Sequence, residues 1–409
     1  MSEIKILYIP AEPYPTHQPF MGEVYSKEDS LFKTVFLMLT KEEYPRKVKW
    51  NKSTVYLLKK YPPNSFFRFL KTYFSLDLRY SFWIPHIVIK EKINIIQVRD
   101  LTWPLIIAVF LKPFGIKLVY QKSHPHEIAK TDPDRIKKSG TKFPKLFLTS
   151  KKVEYFLLHK ILKYCDAIIP ITHYMAINLN RDYGIPFDKM YPFGMGFNFD
   201  DDVKVQSSEK KIAQEEKHIK FVYIGALDKD REFEKFFEGL ALYLKRAGQK
   251  RANITLDLIG GRESEIASLR KYAERLGIEK NIKFHGRIDR SKVYELLPQY
   301  HFGLSWFGSY LRFEDASPTK LMEYLAFGLP FLAPDTVLMH KDVQKATNAG
   351  IVTSLDPEEI ADKLEECVEK YPILAKNAQQ RGQQYILEHH NYQKMKPQLV
   401  DIYKKILGK

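Results

Sequence analysis

A chain of 409 residues with 44% hydrophobic and 14% aromatic content is too apolar for disorder and too long for one compact core, and it fits two domains of about 200 residues. Its two cysteines, Cys165 and Cys367, stand far apart, which excludes a disulfide scaffold and a cysteine-based zinc site and favours a reducing compartment. The net charge of +16 is uneven: residues 1–200 hold 31 Lys and Arg against 18 Asp and Glu, residues 201–409 hold 34 against 31, and the first half is expected to face something anionic.

No run is long enough to span a bilayer; the most apolar, Trp103 to Leu111, contains Pro104 and stops at Lys112. The amino terminus enters a strand-like run without the basic segment and cleavage site of a secretion signal. A cytoplasmic protein, peripheral at the inner face of the cell membrane, is expected.

In chain order, strand-like runs lie at Ile4–Ile9, Val55–Leu58, Ile93–Val98, Ile116–Tyr120 and Ala167–Ile171. A second set follows at Ile219–Ile224, Asn253–Ile259, Ile282–Phe284, Phe302–Trp306 and Pro330–Ala333. Amphipathic stretches such as Glu232–Arg246, Glu263–Leu276, Ser291–Leu297 and Pro357–Lys370 separate them. This alternation predicts an α/β protein with parallel sheets covered by helices. Between about Asn198 and His218 the sequence NFDDDVKVQSSEKKIAQEEKH loses apolar periodicity and reads as a linker. It divides the chain into two doubly wound domains expected to face each other across a cleft, with ligands at the carboxyl ends of the strands. Asp200, Asp201 and Asp202 in this linker are read as solvated charge. From Gln393 to Leu407, Met395, Leu399, Ile402, Tyr403 and Ile406 share one face, which predicts a final packed helix.

Two segments of the first half, Ser65–Pro85 and Ile136–Lys152, interleave aromatic with basic residues. With no nucleic-acid motif beside them, they point to an anionic membrane surface. His124 and His126 follow the run Ile116–Tyr120, at a strand's carboxyl end.

The most informative segment is Phe313 to Pro334, FEDASPTKLMEYLAFGLPFLAP. Ser317 reads as an N-cap, Pro318 as the first helical residue and Gly328 as the stop. The helix start would offer the N–H groups of Thr319 and Lys320 and the positive end of the dipole to a phosphate, without a metal. Asp315 precedes the helix, and Glu323 lies within it on the face of Thr319. The two acids could hold hydroxyls on two parts of one ligand.

This segment resembles the glutamate-x7-glutamate motif of retaining glycosyltransferases with the GT-B fold, in the large family four, or group 1, type. YIGALDKDREFEKFFEGL, LDLIGGRESE, IKFHGRIDRSKVYELLPQYHFGLSWF and YQKMKPQLVDIYKKIL resemble further segments of that family in order, so the likeness covers almost all of residues 219–405. It implies a Rossmann-like acceptor-binding domain over residues 1–203, a nucleotide-sugar-binding domain over residues 204–385, and a helix within residues 386–409 that returns to the first domain.

Carried over by position, Glu323 would bind the ribose hydroxyls. Asp315, where the family usually has Glu, would contact the donor sugar. Ser317, Pro318 and Thr319 would meet the distal phosphate or sugar. Gly225 corresponds to the strand-end glycine and Gly286 to the turn that cradles the base. Arg231 stands where the family carries Lys and would grip the pyrophosphate. The family's neighbouring Arg is Ala226 here, so Lys229 or Lys320 is expected to supply the missing charge. Gly22, in PAEPYPTHQPFMGEVYSKED, is the one glycine where the family has a glycine-rich loop bordering donor phosphate and acceptor. His124 falls near the reacting sugar.

The resemblance implies a retaining, metal-independent, cofactor-free transfer of sugar from a nucleotide-sugar donor to a saccharide or lipid-linked saccharide. The departing phosphate would assist deprotonation of the acceptor hydroxyl. Assembly of surface polysaccharide, glycolipid or glycan is the expected setting, with no nucleic-acid partner. A nucleotide-sugar 2-epimerase and a catalytically silent sugar-nucleotide-binding protein are the alternatives.

Overall fold

The computed structural model describes residues 3–16, 20–27, 30–59, 66–123, 144–199, 218–247, 253–309 and 313–409. The chain folds as two units, Met1–Gly194 together with Met395–Lys409, and Met195–Lys394. The expected linker aspartates at positions 200–202 lie outside the described residues.

The first unit is built on a seven-stranded sheet in the order β3-β4-β2-β1-β5-β6-β7. Its strands are β1 (Lys5–Pro10), β2 (Lys33–Thr40), β3 (Lys47–Trp50), β4 (Ser53–Lys59), β5 (Ile95–Arg99), β6 (Lys117–Lys122) and β7 (Ala167–Pro170). All neighbours run parallel except β3 and β4, where Lys47 pairs with Tyr56 and Trp50 with Ser53. The central strands are buried on both faces, which is why Ile6–Pro10 runs apolar without alternation and all of Ile95–Arg99 is buried, Gln97 and Arg99 included. Residues from Ser65 to Pro85, expected as an aromatic–basic surface, fall mostly within one helix, Phe66–Glu91.

A buried polar layer ties this unit together. The Tyr8 hydroxyl donates to Gln121 Oε1 at 2.7 Å, and Gln97 Nε2 donates to Gln121 Oε1 and to the Tyr25 hydroxyl at 3.0 Å each. The last helix, Tyr392–Ile406, brings Tyr403 into the same layer, 2.7 Å from the Tyr25 hydroxyl and bonded to Gln97 Oε1. Met395, Leu399, Ile402 and Tyr403 are all buried, as their common face predicts.

The second unit carries an all-parallel sheet in the order β10-β9-β8-β11-β12-β13. Here β8 is His218–Ile224, β9 Asn253–Ile259, β10 Ile282–Gly286, β11 Phe302–Leu304, β12 Phe331–Pro334 and β13 Gly350–Thr353. Phe236 and Leu240 of helix Phe233–Ala247 join Ile360 and Leu364 of helix Pro357–Asn377 in one apolar core with Phe221, Leu256 and Phe302. The carboxyl ends of β8, β9, β10 and β11 therefore lie side by side. The expected site residues of this unit gather at that edge.

Candidate active site at the carboxyl edge of the second sheet

Three glycines shape the edge. The Gly225 N–H donates to Ile259 O at 2.9 Å, and the Gly260 N–H donates to Gly286 O at 2.6 Å. A Cβ on Gly260 would stand 2.1 Å from the Gly225 carbonyl oxygen, and the φ of Gly260 is 120°, so only glycine allows this approach. Gly225 and Gly286, both expected here, also have positive φ, and around Gly286 a Cβ would meet nothing within 4 Å.

The helix after β11 spans Thr319–Ala326, with Gly328 in the left-handed region just beyond it. Ser317 does not cap it. Pro318 occupies the cap position with ψ of 105°, and no side chain caps the helix. The Ser317 hydroxyl instead accepts the Met195 N–H at 3.0 Å, a backbone donor that would otherwise be buried without a partner. Ser317 thus anchors the start of the second unit, and the first-turn N–H groups of Thr319 and Lys320 receive no side-chain cap.

Both acids are sequestered. Asp315 is 6% exposed and ends a single helical turn, Phe313–Asp315; Glu323 is 8% exposed. Glu323 Oε1 accepts from Arg290 Nη2 at 2.7 Å and from the Tyr294 hydroxyl at 3.0 Å.

Two cations meet at the helix mouth. The Arg231 guanidinium lies 4.4 Å from the Phe307 ring centre and 5.0 Å from that of Phe313. Its Nε and Nη1 are buried and make no hydrogen bond, and no ion pair joins it to Glu234 or Glu238 among the described residues. Lys320 Nζ lies 4.5 Å from the same Phe307 ring and 4.2 Å from that of Tyr223, and it donates to the Tyr223 hydroxyl at 3.1 Å. Burial, then the neighbouring Arg231, push the Lys320 ammonium well below the usual lysine range, against the weaker pull of Glu323 and Asp228.

Where a second cation was missing, the Ala226 carbonyl accepts from the Tyr223 hydroxyl at 2.7 Å. Lys320 stands beside that turn, 3.4 Å from where a Gly225 Cβ would lie, whereas Lys229 is exposed. Two like charges on one aromatic ring, beside a helix amino end, form a ready site for a polyanion.

Phe307, Phe313, Arg290 and Tyr294 were not singled out from sequence. The one local signal was the i, i+4 spacing of Arg290 and Tyr294. Gly22 sits in a helical turn, Met21–Ser26, with room for a Cβ 3.7 Å from Trp50, so no backbone constraint demands glycine there. His124 and His126 lie outside the described residues. At the carboxyl edge of the first sheet, Arg99 Nε donates to Ser123 Oγ at 3.1 Å and Nη2 lies 3.4 Å from Glu12 Oε1. Among the described residues, no group of three or more His, Cys, Asp or Glu side chains is placed to hold a metal ion.

Residues 204–385 match the family model described as glycosyl transferases group 1. No curated protein matches the sequence. Among solved structures, the chain is similar to a glycosyltransferase from Rickettsia africae ESF-5, at 13% identity and a TM-score of 0.66, covering 100% of this chain and 99% of that one. Anabaena Alr3699/HepE, solved with UDP, is similar at 13% identity and a TM-score of 0.63, covering 98% of this chain and 100% of that one. Sucrose-phosphate synthase from Thermosynechococcus elongatus is similar at 13% identity and a TM-score of 0.66, covering 99% and 100%. At this identity the likenesses carry the fold, which is GT-B.

Proposed function

We propose that the chain, whose residues 204–385 match the group 1 glycosyl transferase model, carries out a retaining, metal-independent transfer of sugar from a nucleotide-sugar donor. The second unit binds the donor, and the first binds a saccharide or lipid-linked saccharide acceptor. The observation that carries this reading is the pairing of Arg231 and Lys320 over Phe307, with two buried guanidinium nitrogens left without hydrogen bonds. A diphosphate beside this pair would neutralise both cations as the leaving group departs. Glu323 takes the ribose hydroxyls and Asp315 those of the donor sugar.

The acceptor is proposed to lie at an anionic membrane surface. No helix among the described residues is long and apolar enough to cross a membrane. Phe110, Phe114 and Phe156 of the first unit are nevertheless 73%, 79% and 59% exposed. Lys160 Nζ lies 5.5 Å from the Phe156 ring centre. Such a surface suits a headgroup layer.

The test is product analysis with UDP-, GDP- and ADP-sugars, with and without lipid and saccharide acceptors. Transfer should persist in EDTA, keep the anomeric configuration, and fall roughly 100- to 1000-fold in Glu323→Ala. Sugar isomerised without acceptor, or activity abolished by chelation and restored by manganese, would overturn the assignment.

A further inference from the structure

Glu323 does not meet a ligand as a freely rotating carboxylate. Arg290 opens the helix Arg290–Leu296, and Tyr294 lies one turn further on, so both side chains leave the same face. Arg290 Nε donates to the Tyr294 hydroxyl, and that hydroxyl donates onward to Glu323 Oε1, which also receives Arg290 Nη2. The Tyr294 ring is wedged 5.1 Å from Phe327 and 5.8 Å from Phe197, so the hydroxyl has little freedom to leave. Burial and the adjacent carboxylate push the Tyr294 phenol up, which keeps it a donor. One oxygen of Glu323 is therefore occupied twice by fixed donors. The other, Oε2, accepts no hydrogen bond from the described residues.

The geometry points to Arg290 and Tyr294 as the specificity-determining positioning pair of this site: by fixing Oε1 they present Oε2 in one orientation, so that binding depends on a ligand hydroxyl donating to it. This rests on the donor-site reading above, in which that hydroxyl belongs to the ribose of a nucleoside diphosphate. A loose carboxylate could turn to water when the hydroxyl is absent and lose little. A clamped, largely buried one leaves an unmatched acceptor and rejects the deoxy ligand. The site is thereby a discriminator of ribose from deoxyribose, and the discrimination is set by residues that need not touch the ligand.

The experiment is calorimetric titration of the full chain with UDP, GDP and ADP. It is followed by the 2′-deoxy and 3′-deoxy forms of whichever binds tightest. The wild type should prefer the ribonucleotide by about 10- to 100-fold. Tyr294→Phe keeps the ring between Phe197 and Phe327, and Arg290→Lys keeps the charge. Each should weaken the ribonucleotide while leaving the deoxy forms within about twofold, so that the preference falls below roughly fivefold. Glu323→Gln should abolish it, and adding Tyr294→Phe to that variant should change nothing more.

Equal weakening of ribo and deoxy ligands, or full preference retained in both variants, overturns the positioning role alone. A wild type without ribose preference overturns it as well. A wild type that binds none of the three diphosphates overturns the donor-site reading and this inference together.

Discussion

Lys320 holds its ammonium against two aromatic rings and beside a second cation, an arrangement that subtracts from the stability of the free protein. Its folded pKa lies well below 10.5, so the unfolded chain binds a proton more readily than the folded one. Stability then rises with pH up to about 10.5, and the penalty is present throughout neutral pH. Lys320→Met removes the charge and keeps an unbranched chain on Tyr223 and Phe307. It should raise the melting temperature by roughly 2–4 °C, equivalent to about 1 kcal/mol, while weakening nucleoside diphosphate binding about 10- to 100-fold. Thermal melts with and without UDP, GDP and ADP measure both effects. A variant that loses stability along with ligand would make the lysine structural. Lys320 was singled out in the sequence, with Lys229 as its alternative, because it lies two residues into a helix start expected to face an anion. Arg290, Tyr294, Phe307 and Phe313 were not, since 33 residues separate Arg290 from Glu323 and only the β-α-β path brings them together.

At the scale of elements, what was legible was whatever is fixed locally. The helix Thr319–Ala326 and its glycine stop follow from Ser-Pro-Thr at one end and Gly-Leu-Pro at the other. The cap itself was misassigned because Ser317 has a competing partner in Met195, more than a hundred residues away. Strand β2, KTVFLMLT, escaped because the apolar run Val35–Leu39 within it has no periodicity to separate strand from helix, and β3 and β13 are only four residues long. The aromatic–basic surface was sought in Ser65–Pro85 and Ile136–Lys152. Phe82, within the first of these segments, is exposed, and so are Phe110 and Phe114 just beyond helix Trp103–Val109 and Phe156 on helix Pro144–Ile161, while residues 136–143 lie outside the described residues. If these helices meet a bilayer, binding to phosphatidylcholine vesicles should rise as phosphatidylglycerol is added and fall with salt. Replacing Phe110, Phe114 and Phe156 together by serine should weaken binding at least about tenfold. It should leave the melting temperature unchanged, because all three side chains are exposed. Vesicle flotation reads the first effect, and binding indifferent to both lipid charge and these substitutions would remove the membrane claim.

Across the whole molecule, the two units share a doubly wound architecture but differ in the chemistry of their buried polar groups, which makes their response to acid unequal. One interior layer of the first unit consists of phenols and amides, Tyr8, Tyr25, Gln97, Gln121 and Tyr403, with the buried Arg99 and Asp100 beside it. Burial pushes the Tyr25 phenol up to about 12, and Tyr8 and Tyr403 are raised as well, so this layer does not titrate under mild acid. The second unit buries two imidazoles. His340 Nδ1 lies 2.7 Å from the Pro334 carbonyl oxygen and Nε2 lies 2.9 Å from Ser305 Oγ, while His390 Nδ1 lies 3.0 Å from the Met195 carbonyl oxygen. Burial pulls His340 down to about 3 and His390 down to about 4, from an ordinary 6.5. Between those values and 6.5 the unfolded chain takes up protons that the folded unit refuses. Their contribution is therefore intact above 6.5 and is lost as pH falls toward 4 and 3. At pH 5 the loss should be about 2 kcal/mol for each histidine. Urea unfolding should consequently separate into two steps on acidification, the earlier one reported by hydrogen exchange in peptides from residues 218–394. His340→Asn, which keeps a donor for Pro334, should remove roughly half of the shift of that step between pH 7 and pH 5. An unchanged shift in that variant, or first loss of protection in the strands β1, β5 and β6, would place the acid-sensitive groups elsewhere.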